Sequence, residues 1–291
     1  MRFTGPVANN TAPFEIAVGH TPLRYLSYDT VKYERSRERG LRSRGPITNG
    51  ARRLCGADAK VLLSLAFAAA VVCPSLSAMN IVIDFDRAID DWEQIAFRRI
   101  ENHSHYSVEQ KDGRSVLKVM SEQSASGIVY RETFNVYETP WLEWSWFTEQ
   151  VIAAGNAREQ AGDDYPVRLY VIFAYDPANA GLGERLRYSA ARRIYGQYPP
   201  AASLNYIFNN RPHPERIIPS PYSDRTQMFV MEPGPNAVGT WRTHRVNMLE
   251  DYRAAFGDDP PNRATIAVMG DTDNTGASSS AYVDYVRISA D

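Results

Sequence analysis

The segment ATIAVMGDTDNTGASSSAYVDYVRISAD occupies residues 264–291. Apolar, β-prone runs at 266–269 and 282–288 flank Asp271-Thr272-Asp273-Asn274-Thr275-Gly276, whose residue types turn a backbone by local hydrogen bonding or by positive φ. This reads as strand, acidic loop and strand, with Asp284 as an inward-pointing acid on the second strand. Such an arrangement points to an all-β sandwich whose sheet ends carry metal or sugar sites.

The pattern repeats upstream. Short β-patterned runs occur at 81–85, 92–98, 106–109, 116–120, 127–134, 141–147, 167–174, 228–231 and 241–248. Asp112-Gly113 between two of them is a hairpin turn signal. In WLEWSWF, residues 141–147, the period of two puts Leu142, Trp144 and Trp146 on one face, which predicts core packing rather than a sugar platform. One helical spacing stands out, at 249–256, with Tyr252, Ala255 and Phe256 on one side and Gly257 as its stop. Residues 188–194 fit either strand or short helix. Many short strands without a repeat or linker predict one antiparallel β-sandwich over 79–291, of jelly-roll type, with short helical insertions.

Charge divides the chain. Residues 1–78 hold 11 Lys/Arg and 5 Asp/Glu, whereas 79–291 hold 21 and 29. The second part has two lysines, Lys111 and Lys118, so a nucleic-acid role is not expected, since phosphate neutralisation needs Lys/Arg. Both cysteines, Cys55 and Cys73, precede residue 79, which leaves the β-rich part without a disulfide, a Cys nucleophile or a Cys-ligated zinc. Arg52, Arg53 and Lys60 lead into the apolar run VLLSLAFAAAVV, 61–72, which is followed by Pro74-Ser75-Leu76-Ser77-Ala78. This order is that of a signal peptide over 51–78, and the run is shorter than the roughly 20 apolar residues of a permanent transmembrane anchor. The expected location is periplasmic or secreted. Residues 1–50, Arg-rich at 35–45 and without apolar periodicity, read as a disordered leader, with the effective translation start falling inside it near Gly50.

Two acidic loops invite joint reading. Gly162-Asp163-Asp164-Tyr165 precedes the 167–174 strand and Asp271–Asn274 follows the 266–269 strand. If these strands are antiparallel partners, Asp163, Asp164, Asp271, Asp273 and Asn274 gather at one sheet end, with Arg168 as the natural partner for carboxylates that would otherwise repel. The alternatives are solvated turns, an oxygen-ligated Ca²⁺ or Mg²⁺ site, and a ligand contact. Asp84, Asp86 and Asp284, on the first and last strands, form a second candidate, a structural Ca²⁺ site. Weaker candidates are His103/His105 for metal, His244 as a surface residue, and Glu132/Glu143 as paired acids of a glycosidase. No nucleophile elbow, zinc-protease motif, P-loop or dinucleotide fingerprint is present.

GDDYPVRLYVIF (162–173), LEWSW (142–146), WRTHRVNMLEDYRAAFGDDPP (241–261) and IAVMGDTDNTGASSSAYVDYVRI (266–288) together resemble a bacterial exported domain-of-unknown-function family, number three-zero-four-seven, over about residues 84–289. The chain is more broadly similar to galactose-binding-like β-sandwiches, including carbohydrate-binding modules. That resemblance implies a jelly roll with Ca²⁺ at Asp84/Asp86/Asp284. The combined expectation is a non-catalytic exported protein that binds carbohydrate or a cell-envelope component, with Tyr195, Tyr198, Tyr206, Phe208 and Tyr222 as aromatic loop residues. A metal-assisted polysaccharide hydrolase or lyase and a structural envelope protein are the alternatives. Expressed with its leader in a secreting bacterium, the mature protein should begin at Met79 by N-terminal sequencing; an intact leader would contradict the signal assignment.

Overall fold

The structure, a computed structural model, describes Ile16–Ala17 and residues 80–291 apart from 87–88, 98–99, 196–197 and 233. All of these fall within one compact unit of the chain. The apolar segment 61–72 lies outside the described residues, as does the leader apart from Ile16–Ala17.

Strands β1 (Ile16–Ala17), β2 (Asn80–Asp84), β3 (Trp92–Phe97), β4 (His105–Lys111), β5 (Arg114–Glu122), β6 (Ala125–Tyr130), β7 (Phe134–Asn135), β8 (Trp141–Thr148) and β9 (Tyr165–Phe173) precede helix α1 (Leu182–Tyr195). After it come β10 (Ala202–Phe208), β11 (Ile217–Pro219), β12 (Thr226–Glu232), β13 (Arg242–Asn247), helix α2 (Met248–Phe256), β14 (Arg263–Asp271) and β15 (Ser278–Ser289). One sheet runs β1-β3-β6-β14-β9-β10-β12-β11, with β7 also on β14. The other runs β13-β8-β15-β5-β4, with β2 also on β15. The result is the expected β-sandwich, antiparallel apart from the β10–β12 pair. That pair is parallel because β11 runs back along the sheet edge and the chain then turns into β12, which lies between β11 and β10.

Local chemistry accounts for the element boundaries. Asp112 and Gly113 both take positive φ (53° and 76°), the condition of the tight turn that joins β4 to β5. Asn247 caps α2 by accepting from the Leu249 and Glu250 amides, and Gly257 ends it at φ 77°.

The two sheets meet over an aromatic core. Leu142, Trp144 and Trp146 of β8 are fully buried. Trp144 packs 5.1 Å from Tyr206 and Trp146 5.9 Å from Phe208, between ring centroids. Tyr206 and Phe208 are therefore core residues of β10 rather than loop aromatics, and the 175–221 segment contains a central strand.

Two of the three register slips among the described residues, those outside the β10–β12 pair, shape the sandwich. In β15 the ladder shifts between Val283 and Tyr285. Inward residues are Ala281 and Val283 before the slip, and Val286 and Ile288 after it. Asp284 is the extra residue, and its carboxylate turns to the half-exposed Arg114 guanidinium at 2.8 Å. The acid is thus not directed into the core; a bulge swings its side chain away.

The second slip lies between Met269 and Asp271, opposite Pro166, which has no N–H to offer the ladder. Here the sheets approach closely. A Cβ built on Gly270 would stand 2.5 Å from Val119 Cγ1, 2.9 Å from the Pro166 carbonyl oxygen and 3.1 Å from Ser121 Oγ. Around it Ser104 Oγ donates to the Gly270 carbonyl at 2.8 Å and Ser121 Oγ donates to Ser104 Oγ at 3.0 Å, so the buried hydroxyls are satisfied. Gly270→Ala should destabilise the fold by about 1–3 kcal/mol through overpacking against backbone, read as a lower urea midpoint at constant slope.

Candidate functional site

The antiparallel pairing of β9 and β14 sets Met269 opposite Arg168 and Asp271 opposite Tyr165. The two acidic loops therefore meet at one sheet end. Arg168 donates from Nη1 to Asp163 Oδ2 at 3.2 Å and from Nη2 to Asp271 Oδ2. Its guanidinium also lies 4.9 Å from the Tyr165 ring centroid. Asp163 Oδ1 accepts from the Tyr165 hydroxyl at 3.1 Å, and Asp271 Oδ1 accepts from the Tyr165 amide at 3.2 Å.

Asp164 holds the turn of the second loop. Its Oδ1 accepts from the Asn274 amide and side chain at 3.3 and 3.1 Å. Its Oδ2 accepts from the Thr275 amide and hydroxyl at 2.7 and 2.6 Å. Asp163, Asp164, Arg168 and Asp271 are all buried. This is a closed network that joins two loops, not an open turn.

Its charges do not balance. Four carboxylates, Asp163, Asp164, Asp271 and Asp273, face one guanidinium. Burial pushes the Asp271 carboxyl well above the usual range, with Asp163 and Asp164 adding to the rise against the opposing pull of Arg168. Half-buried Asp273 is also raised, by desolvation first and by Asp164 next. Oxygens of Asp164, Asp271 and Asp273 lie within 4.8 Å of one another, an all-oxygen set that suits a hard cation.

The other candidates are not assembled. Although β2 and β15 pair, Asp84, Asp86 and Asp284 do not form a donor set. Asp284 is occupied by Arg114, and Asp84 Oδ1 accepts from the Asp86 amide at 3.4 Å. Glu132 and Glu143 lie on different sheets' strands and links, and Glu143 accepts from Tyr285 and Arg287. His105 lies on β4 opposite Met120 while His103 is in the preceding loop. His244 is not a plain surface residue: it packs 5.3 Å from Trp144 and meets buried Glu232 at 2.6 Å. Tyr222 donates to Asn274 Oδ1 at 2.9 Å, bracing the acidic loop.

An open cleft of about 800 Å³ lies at the other end of the same sheet. Tyr175 and Asp176, just past the end of β9, line it together with Pro260, Pro261 and Asn262, just before β14. Nine residues of β9 separate the cleft from Asp163, roughly 30 Å at about 3.3 Å per residue. Tyr137, which is 45% exposed, and Tyr252 of α2 complete its aromatic lining. The Tyr137 hydroxyl donates to the Pro260 carbonyl at 2.8 Å, which fixes its ring at the rim. Tyr175 is stacked on Tyr188 of α1 at 3.7 Å with 7° between planes. Its hydroxyl has no hydrogen-bond partner among the described residues. Burial raises all three tyrosine pKa values, with Asp259 adding to it at Tyr137 and Glu184 at Tyr175. The three hydroxyls stay protonated at neutral pH. Polar lining comes from Asn179, Glu184, Arg187, Arg225 and Asp258. Of the aromatics expected in loops, Tyr198, Tyr206, Phe208 and Tyr222 do not line this cleft, and the side chain of Tyr195 lies outside the described residues. Its own tyrosines had no local signal, because separate segments of the chain bring them together.

The raised pKa of Asp273 carries a sign. A carboxyl whose folded pKa is raised contributes stability below its unfolded pKa, near 4, and loses it as pH rises through the folded value. In chelator, Asp273→Asn should melt higher than the parent at about pH 7, and the difference should vanish near pH 3, where both side chains are neutral. A lower melting temperature for the variant in added Ca²⁺ would instead make Asp273 an ion ligand.

The chain is similar to several solved sandwiches. It covers 98% of the winged bean acidic lectin complexed with methyl-α-D-galactose, with 73% of this chain aligned, 12% identity and a TM-score of 0.34. It covers 96% of the family 30 carbohydrate-binding module of a Clostridium thermocellum cellulosomal cellulase, with 72% of this chain aligned, 10% identity and a TM-score of 0.35. It covers 99% of the Caldicellulosiruptor saccharolyticus CBM27-1 in complex with mannohexaose, with 74% of this chain aligned, 13% identity and a TM-score of 0.34. No curated protein matches it in sequence. The family model described as a protein of unknown function, DUF3047, matches residues 90–287, and the chain belongs to that family.

Proposed function

We propose that this is an exported, non-catalytic carbohydrate-binding protein whose ligand lies in the tyrosine-lined cleft. The observation that carries this reading is an open cleft of about 800 Å³ lined by an exposed, fixed Tyr137 ring and by Tyr175, which is held by its stack on the buried Tyr188. A sugar presents flat C–H faces and a rim of hydroxyls. Tyrosine rings offer apolar faces to the first, at low entropic cost. Carboxylates, amides and guanidinium groups pair with the second, and the cleft supplies each of these. Its volume falls within the range of small-ligand sites, about 300–1,000 Å³.

Two observations support binding rather than metal-assisted hydrolysis. The carboxylate cluster suited to a cation stands at the far end of the sheet from the cleft, and two of its members, Asp164 and Asp271, already accept hydrogen bonds on both oxygens. Within the cleft, Asp176 accepts from the Ala178 amide and from Asn179, and Asp259 is paired with Arg253. Neither of these two is a free acid or base, and Glu184 and Asp258 are the other carboxylates of the lining. Export rests on the basic–apolar–small order of residues 51–78. A Ca²⁺ ion in this reading is structural: Asp164, Asp271 and Asp273 would hold it and neutralise the surplus charge of the network.

Glycan-array screening followed by calorimetry tests the assignment. Tyr137→Ala should weaken the glycan found by about tenfold or more at unchanged melting temperature, and Tyr137→Phe should retain most of the affinity. Asp163→Asn should leave affinity intact. Binding that depends on Asp163 and ignores Tyr137 would move the site to the acidic end, and release of new reducing ends would replace binding with hydrolysis.

A further inference from the structure

Helix α1 has two distinct faces. At 100° per residue, Leu182, Leu186, Ala190 and Arg193 fall within an arc of about 80°. Leu182 is 85% exposed and Leu186 75% exposed, and these are the most exposed large hydrophobics of the described residues. The helix carries four arginines, Arg185, Arg187, Arg192 and Arg193, against a single acid, Glu184. All four arginines are exposed, and none makes an ion pair among the described residues. Arg185 and Arg192 flank the leucine stripe on one side and Arg187 flanks it on the other. The opposite face holds Tyr188, buried against Tyr175, and so fastens the helix to the domain.

This composition runs against that of the rest of the domain. Residues 79–291 hold 21 Lys/Arg and 29 Asp/Glu, yet α1 is strongly basic. A solvated helix needs no leucine pair one turn apart at the centre of its outer face, and a core helix would bury that pair. An apolar stripe flanked on both sides by arginine suits a plane in which phosphates lie beside acyl chains. Guanidinium groups pair with phosphates while leucines enter the acyl boundary.

We propose that the outer face of α1 is a peripheral membrane-binding surface for anionic phospholipid. Two leucines insert shallowly, so attachment is weak and reversible and depends on the arginines. It requires no transmembrane segment, and among the described residues no helix is long and apolar enough to cross a bilayer.

Co-sedimentation of the full chain with vesicles tests this. Phosphatidylcholine vesicles are compared with vesicles in which about a third of the lipid is phosphatidylglycerol. The parent, Leu182→Ser/Leu186→Ser and Arg192→Gln/Arg193→Gln all share the apolar 61–72 segment, so differences between them report on α1. The parent should partition onto anionic vesicles and lose that binding as salt rises. Each double variant should partition roughly tenfold or more weakly at an unchanged melting temperature. Equal binding by all three proteins, equal binding to neutral vesicles, or no binding by the parent would overturn the proposal. A concentration-dependent dimer that is lost in the leucine variant, without vesicle binding, would overturn it too and assign the face to a second copy.

Discussion

A guanidinium buried between two carboxylates from different segments governs this sandwich. Arg168 joins Asp163, which precedes β9, to Asp271, which ends β14, and Tyr165 lies against all three. A buried pair of this kind adds little net stability relative to an apolar replacement, since the desolvation of both partners offsets their attraction. Breaking it is another matter: removal of Arg168 would leave two buried acids facing each other, at a cost of about 3–5 kcal/mol. The network therefore acts as a constraint on register. Sliding β9 against β14 by one residue would turn Arg168 toward the core and leave Asp271 on the outer face without its partner. The Gly270 slip and the Pro166 gap are tolerated at the same level because they keep both side chains on the outer face while the sheets come close.

From that constraint follows a division of labour along the sheet. At the Asp163 end both carboxylate oxygens of Asp164 accept from Asn274 and Thr275, and the loops close over the charges. At the Tyr175 end the connections spread to α1, α2 and the β7–β8 link, and a cleft opens among them. In the function proposed here, recognition falls at the open rim rather than the sealed one. Loops that satisfy their own polar groups have few left to offer a ligand.

How far this was legible from residues alone depended on the length of sequence over which each cue operates. Asp112-Gly113, the helix stop at Gly257 and the Trp144/Trp146 face are decided by neighbours within a few positions, and they read directly. The meeting of Asp163 with Asp271 needed one added assumption, that two strands are antiparallel partners; the carboxylates then had to share an end. The orientation of Asp284 was misjudged because a bulge adds one residue and inverts the alternation beyond it, and nothing in AYVDYVRI marks where that happens. Strand β10 was hidden differently. ASLNYIF does alternate, with Ala202, Leu204, Tyr206 and Phe208 inward, but Pro199-Pro200 and Asn209-Asn210-Arg211-Pro212 enclose it in loop-like composition. The cleft could not be read at all, since Tyr137, Tyr175 and Tyr252 become neighbours only after the sheet has formed.

Helix α1 connects the cleft to the outer surface. Fourteen residues with a glycine in the first turn make a marginal helix on their own. What holds it is tertiary: the Tyr175–Tyr188 stack, with Tyr198 at 5.2 Å from Tyr175. Gly183, Glu184 and Arg187 form one wall of the cleft, while Leu182 and Leu186 point to the outside. A ligand that contacts this wall and a lipid surface that contacts the leucines both favour the ordered helix over a frayed one. Two ligands that prefer the same state strengthen each other's binding, and the coupling is reciprocal. Recognition in the cleft and attachment through α1 are therefore expected to reinforce each other, with the helix as the shared element, while the Arg168 network at the opposite rim stays fixed.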